Sequence, residues 1–144
     1  MSATYDPNNI FAKILRGEIP CEKVYEDEDT LAFMDVMPRS DGHVLVIPKL
    51  GARNILDVPP EVLGALILRV QKLARAVKAA TGAEGITLHQ FNEPAGGQSV
   101  FHIHFHVMPR WEGVALRPHG GKMADPAMLK AHADKIRAAL AAEE

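Results

Sequence analysis

From residue 59 to about residue 80, apolar side chains recur at three- and four-residue intervals: Val62, Leu66, Val70, Leu73 and Val77. Arg69, Lys72, Arg75 and Lys78 take the other sides. That period predicts one long amphipathic helix, opened by Pro59-Pro60-Glu61 and stopped by Thr81-Gly82. A shorter helix is predicted over Asn9 to Gly17, with Asn8 or Asn9 as cap, Ile10, Phe11 and Ile14 as apolar face and Gly17 as stop. A third spans Pro126 to Ala142 and carries Leu129, Ile136 and Leu140. Elsewhere the pattern shortens to strand-like runs. Val24–Glu26 and Thr30–Val36 flank the acidic turn Asp27-Glu28-Asp29, and His43–Ile47 stops at Pro48. Ile86–Phe91 and Val100–Met108 flank a glycine turn, and Pro109 closes the second of them. Short-turned strands with one long helix inserted predict an α+β fold with a mainly antiparallel sheet. A chain of 144 residues suits one domain, residues 1–144, whose turn-rich stretch beyond Trp111 and last helix form a C-terminal extension at about 110–144.

One run combines apolar alternation with chemistry. Val100 to Met108 reads V-F-H-I-H-F-H-V-M, so that three of the chain's seven histidines stand at every second position. On a strand His102, His104 and His106 would share one face, while Phe101, Ile103, Phe105 and Val107 fill the other. Imidazoles on a covered strand need hydrogen-bond partners, so a row of them is costly unless it is used. Alternation by itself is satisfied by any polar residue facing solvent, but Ser, Thr or Lys would serve there equally well. Two chemistries want histidine: a zinc or copper site taking two imidazoles at i and i+2, or a nucleophilic imidazole with neighbours that fix its tautomer and donate a proton. Directly upstream, Gly96-Gly97-Gln98-Ser99 supplies flexible backbone, an amide and a hydroxyl. Successive N–H groups in such a turn can form an anion-binding nest, with Gly97 free to adopt positive φ.

Composition narrows the partners. A formal net charge of −2, from 16 basic and 18 acidic residues, leaves no basic footprint for a nucleic-acid backbone. No run reaches the ~20 apolar residues needed to cross a bilayer, and the first residues show neither a basic start nor an apolar core of a secretory signal. A single cysteine, Cys21, forms no internal disulfide and fits a reducing compartment, so a cytoplasmic location is expected.

The stretch G-G-Q-S-V-F-H-I-H-F-H-V resembles the histidine triad family of nucleotide hydrolases and transferases. So do Gly42-His43-Val44-Leu45-Val46-Ile47-Pro48-Lys49 and Ile10-Phe11-Ala12-Lys13-Ile14 leading to Gly17-Glu18-Ile19-Pro20. The resemblance implies a five-stranded, mainly antiparallel sheet and pairing as a homodimer. It implies a purine nucleotide as ligand, cleaved at its α-phosphate in a nucleoside phosphoramidate or a dinucleoside polyphosphate. His104 is implied as the nucleophile, with the carbonyl of His102 fixing its tautomer, His106 contacting the phosphate and leaving group, and His43 buttressing the first histidine, His102. Ser99, Gln98, Asn92 and Gly97 are implied at the phosphate and Asp35 at the ribose. Phe11, Ile14, Phe33 and Val36 match the apolar slot for the base, although the same four read equally as core residues. No cofactor is expected. Some relatives hold zinc through C-x-x-C at the first helix, where Asn9-Ile10-Phe11-Ala12 offers no thiolate. Two other readings remain: a metal-dependent hydrolase using His102 and His104 as ligands, and a nucleotide-binding module without catalysis.

Overall fold

The computed structural model describes residues 4–143. Helix α1 (Ile10–Leu15) begins where the Asn9 side chain accepts the Ala12 N–H, and it gives way at Gly17, whose φ of +78° is open to glycine. Strands β1 (Lys23–Glu26) and β2 (Thr30–Met34) follow. The turn between them is closed by Asp27, whose Oδ1 accepts the N–H groups of Asp29 and Thr30, each at 2.8 Å. Then come β3 (Val44–Pro48), α2 (Pro60–Thr81), β4 (Gly85–His89), β5 (Phe105–Arg110) and α3 (Pro126–Ala142). The five strands form one antiparallel sheet in the order β1-β2-β3-β5-β4.

Strand alternation divides the core between the two faces of the sheet. Ala32, Met34, Val44, Val46 and Val107 point to one face, where they pack with Leu66, Val70, Leu73 and Val77 of α2 and with Leu129, Ala133 and Ile136 of α3. The long amphipathic helix thus covers the sheet, as its period predicts. On the other face Phe11 of α1 packs with Leu31, Phe33, Leu45 and Ile47. Phe33, Leu45 and His106 are register partners across β2, β3 and β5, so a single row runs from the apolar pocket wall to the histidines. Because both faces are covered, β2 and β3 are buried along their whole length.

The sheet departs from the expected boundaries where the chemistry lies. The strand expected from Val100 begins only at Phe105, so His102 and His104 precede it and the three histidines do not form one regular strand row. Continuing the ladder would set Ile103 opposite Pro48, which has no N–H to give. Instead the Ile103 N–H turns to the carbonyl of Ala52 at 2.9 Å, and the Pro48 carbonyl takes the ring of His102. Strand β2 likewise ends at Met34, one residue before Asp35, whose Oδ1 accepts the Met37 N–H at 2.8 Å and closes a turn. Strand β4 stops at His89 rather than Phe91, and a short 3₁₀ turn over Pro94–Gly96 stands where only a glycine turn was expected.

Candidate active site

Hydrogen-bond donors fix the histidine tautomers one after another. The backbone N–H of Arg39 donates to His43 Nδ1 at 3.0 Å, so the neutral ring carries its proton on Nε2. That Nε2–H meets His106 Nδ1 at 2.9 Å, and lies 3.5 Å from Asp35 Oδ2, so His43 buttresses the third histidine and not His102, whose two nitrogens are taken by Pro48 and Tyr5. His106 Nδ1 is therefore an acceptor, and its proton sits on Nε2, a buried atom without a partner among the described residues. A backbone amide thus sets, through two rings, a donor N–H that meets no acceptor among the described residues. His104 is set the opposite way. Its Nδ1–H donates to the carbonyl of His102 at 2.7 Å, which leaves the Nε2 lone pair without a hydrogen bond among the described residues. The rings of His104 and His106 are 5.0 Å apart, so a lone pair and a donor stand side by side.

Burial keeps these rings neutral. It is the leading cause that pushes His43 down to about 3 and His104 down to about 4. His106 lies lower still through burial, reinforced by the neighbouring His104 and His43. Asp35 is pushed up by burial, against the Met37 N–H that favours its charged form.

His102 faces away from this pair. Its Nε2–H donates to the Pro48 carbonyl at 2.8 Å, and its Nδ1 is paired with the Tyr5 hydroxyl at 2.7 Å. Both nitrogens are committed to the protein, so the ring anchors the carbonyl that orients His104. That also removes His102 as a metal ligand in the arrangement expected for a metal-dependent hydrolase. Tyr5 carries no sequence signal for this task, since it lies 97 residues from its partner. Tyr5→Phe is expected to cost about 1 kcal/mol of stability in urea unfolding, the net worth of one such bond, and to slow turnover severalfold.

A cavity of about 490 Å³ opens on this face of the sheet. Phe11, Ile14, Phe33 and Val36 line its apolar part, and Asp35, Ser99, His104 and His106 its polar part. Eight expected residues are thus brought together. Five others are not among the lining: His43 and His102, which act through the other histidines, and Gln98, Asn92 and Gly97. Gln98 is buried with its amide fully used: Oε1 accepts from Asn54 Nδ2 (3.1 Å) and the Glu93 N–H (2.8 Å), while Nε2 donates to the carbonyls of Arg53 (2.7 Å) and Val100 (3.0 Å). Asn92 Oδ1 accepts the Ile55 N–H at 2.8 Å, and its amide pairs with Gln90. Gly97, at φ +96°, packs against Phe91 so closely that a Cβ would lie 3.3 Å from the ring. These three shape the loop that presents Ser99.

The loop is held by a clamp that the sequence does not reveal. Arg53 binds Glu93 through two bonds of 2.8 and 3.0 Å, Asn54 adds a third at 2.6 Å, and Glu93 sits at φ +68°, an unusual conformation for a residue with a side chain. Gln98→Ala strips four bonds from this clamp and leaves buried partners unsatisfied. The expected destabilisation is about 3 kcal/mol, read from the urea midpoint, with a loss of turnover as Ser99 is displaced.

Asp35, His43 and His106 could hold a cation, each offering one ligand atom within 4.8 Å of the others. Two imidazoles and a carboxylate suit zinc. An ion there would replace the proton that joins His43 Nε2 to His106 Nδ1; His106 would keep its Nε2–H, but His43 would need its proton on Nδ1, where the Arg39 N–H already donates.

The HIT domain model matches residues 16–113, more than half of the chain. The chain belongs to the HIT (histidine triad) family. Among HIT relatives, adenylylsulfatase HINT3 of Arabidopsis thaliana is 39% identical over 85% of this chain, and the chain spans just under two thirds (65%) of that protein's length. A crystal structure of a Hit-like protein involved in cell-cycle regulation from Bartonella henselae, with an unknown ligand, superposes with a TM-score of 0.89. It is 54% identical and covers 94% of this chain and 99% of its own. A zinc-bound histidine triad protein from Mycobacterium smegmatis superposes at 0.84 with 35% identity, covering 94% of this chain and 95% of its own. The five-stranded antiparallel sheet with its three helices is the HIT fold, and HIT membership supports nucleotide hydrolase or transferase chemistry in general terms.

Proposed function

We propose that this protein cleaves purine nucleotides at the α-phosphate through a nucleotidylated His104, acting on nucleoside phosphoramidates or dinucleoside polyphosphates. The observation that carries the reading is the pair of opposite tautomers, a free Nε2 lone pair on His104 beside a free Nε2–H on His106. In the first step His104 Nε2 forms a bond to the α-phosphorus as the bond to the leaving group breaks, and the leaving group departs with the bonding pair, a phosphate as its anion and an amine after taking a proton from solvent. His104 becomes a nucleotidyl-imidazolium whose Nδ1–H stays on the His102 carbonyl. In the second step water attacks the phosphorus and the P–N bond breaks. One water proton remains on the nucleoside monophosphate, one passes to solvent, and His104 returns to its neutral form. Throughout, His106 Nε2–H donates to a phosphate oxygen or to the leaving atom, as does Ser99. One such oriented donor is typically worth about 3 kcal/mol in a transition state.

The cavity suits the substrate. Phe11, Ile14, Phe33 and Val36 offer an apolar slot for a base, and Asp35 a carboxylate for ribose hydroxyls. The name of the Arabidopsis relative, an adenylylsulfatase, supports an adenylyl substrate. We further infer that no cofactor is required, that the protein is cytoplasmic and pairs as a homodimer, and that neither nucleic acid nor membrane is its partner; among the described residues no helix is long and apolar enough to cross a membrane.

The test incubates chelator-treated protein with adenosine phosphoramidate and, separately, a diadenosine polyphosphate, then quenches for intact mass and peptide mapping. An adenylyl adduct on His104 with product released is the expected result. Activity that disappears with the chelator and returns with zinc would favour the metal-dependent reading, and tight nucleotide binding without adduct or product the binding-module reading.

A further inference from the structure

Beyond Arg110 the chain leaves the sheet and returns across the cavity. The Arg117 N–H donates to the Arg39 carbonyl and Arg39 Nε to the Arg117 carbonyl, both at 2.8 Å. Arg117 also donates to the Pro38 carbonyl at 3.1 Å and pairs with Asp41. Seven residues on, the Ala124 N–H donates to the Val36 carbonyl at 2.8 Å. The stretch between these two anchors is a strap, and His119, Gly120 and Met123 on it line the cavity. All three lie outside residues 16–113, so they belong to this chain's own extension rather than to the matched HIT domain.

His119 has no structural task. Its exposed ring makes no hydrogen bond among the described residues, yet it lines the same cavity as His104 and His106. Arg39 lines the cavity as well, tethered through Nε alone among the described residues. Two basic side chains therefore border a pocket whose other nitrogen groups are neutral.

We propose that His119, with Arg39, forms a subsite for an anionic leaving group, so that the protein favours nucleotides whose α-phosphate is joined to a further phosphate or a sulfate over those joined to an uncharged group. The proposal rests on the reading that the α-phosphate is attacked by His104. It also follows from the state of His106. A neutral imidazole held at Nδ1 by His43 is a good hydrogen-bond donor but a poor proton source, since giving up its proton would leave an imidazolate. A leaving group that departs as a stable oxyanion needs no such proton; it needs positive charge nearby as negative charge accumulates.

The test measures affinity rather than turnover, on the full chain at low salt. Calorimetry compares α,β-methylene-ADP, which carries the extra phosphate, with the methyl ester of AMP, which does not. His119→Gln is expected to weaken the methylene analogue about fivefold relative to the ester, as suits one solvent-exposed ion pair, and His119→Lys to restore it. The difference should shrink at high ionic strength. An equal loss on both ligands, or none on either, overturns the subsite. Failure of the His104 chemistry would instead appear as intact discrimination between the analogues with no adduct on the protein. If the unmodified protein binds neither analogue, both readings fall.

Discussion

His104→Ala is expected to lower kcat by about 10⁴-fold or more while nucleotide affinity stays within about threefold of the unmodified protein. The His104 Nδ1–H is held by the His102 carbonyl at 2.7 Å, and the ring edge packs on Phe11 with ring centroids 4.9 Å apart, so the ring is fixed before any substrate arrives. The apolar slot and Asp35 are built from other residues, so ground-state binding survives the truncation. The bond that His104 forms exists only along the reaction path, and its loss therefore appears in kcat rather than in KM. The ring is buried, and removing it strands a carbonyl, so a drop of about 2 kcal/mol in stability accompanies the change. Unfolding curves must show the variant folded at the assay temperature. Nucleotide turnover by folded His104→Ala within tenfold of the parent would sink the nucleophile assignment.

Much of this arrangement is legible in the sequence, and what is not has a common cause. Helix α2 is legible because its apolar period runs from Val62 to Val77, about four turns, and nothing local competes with it. The histidine row announces its chemistry through residue type at fixed spacing. Its geometry is less regular than the alternation implies, because Pro48, on a neighbouring strand, withholds the ladder partner from Ile103. Cross-strand effects of that kind are invisible to a pattern read along one segment. The same holds for Gln98, which reads as a phosphate donor from its neighbours but is consumed by Arg53, Asn54 and Glu93, residues up to 45 positions away. Tyr5 and His119 are further cases. Each acquires its place only because a terminal segment folds back onto the sheet, and neither belongs to a motif.

The same burial that arms the histidines makes the fold sensitive to acid. His43 is held at about 3 and His104 at about 4, and His106 lies lower still, against about 6.5 in an unfolded chain. Below pH 6.5 the unfolded state therefore binds protons that the folded state refuses. The stabilisation is fully present above that value and is lost progressively as the pH falls toward the folded values. Each such group removes about 1.4 kcal/mol per pH unit, so three together remove several kcal/mol between pH 6.5 and pH 5, comparable with the whole stability of a domain, about 5–15 kcal/mol. Carboxylates act in a lower window. Asp27, which the Tyr25 hydroxyl and Arg69 hold down against the opposing effect of its burial, loses its contribution only below about pH 4. Urea unfolding at pH 7, 6 and 5 is expected to show the midpoint falling steeply with an unchanged slope m, and His43→Asn to reduce the pH dependence by about one proton. Activity should be lost over the pH range of unfolding, because the His104 lone pair stays unprotonated as long as the ring stays buried. A midpoint that does not move between pH 7 and pH 5 would mean that these rings are protonated in the folded protein, and His104 would then have no lone pair to offer at mildly acidic pH.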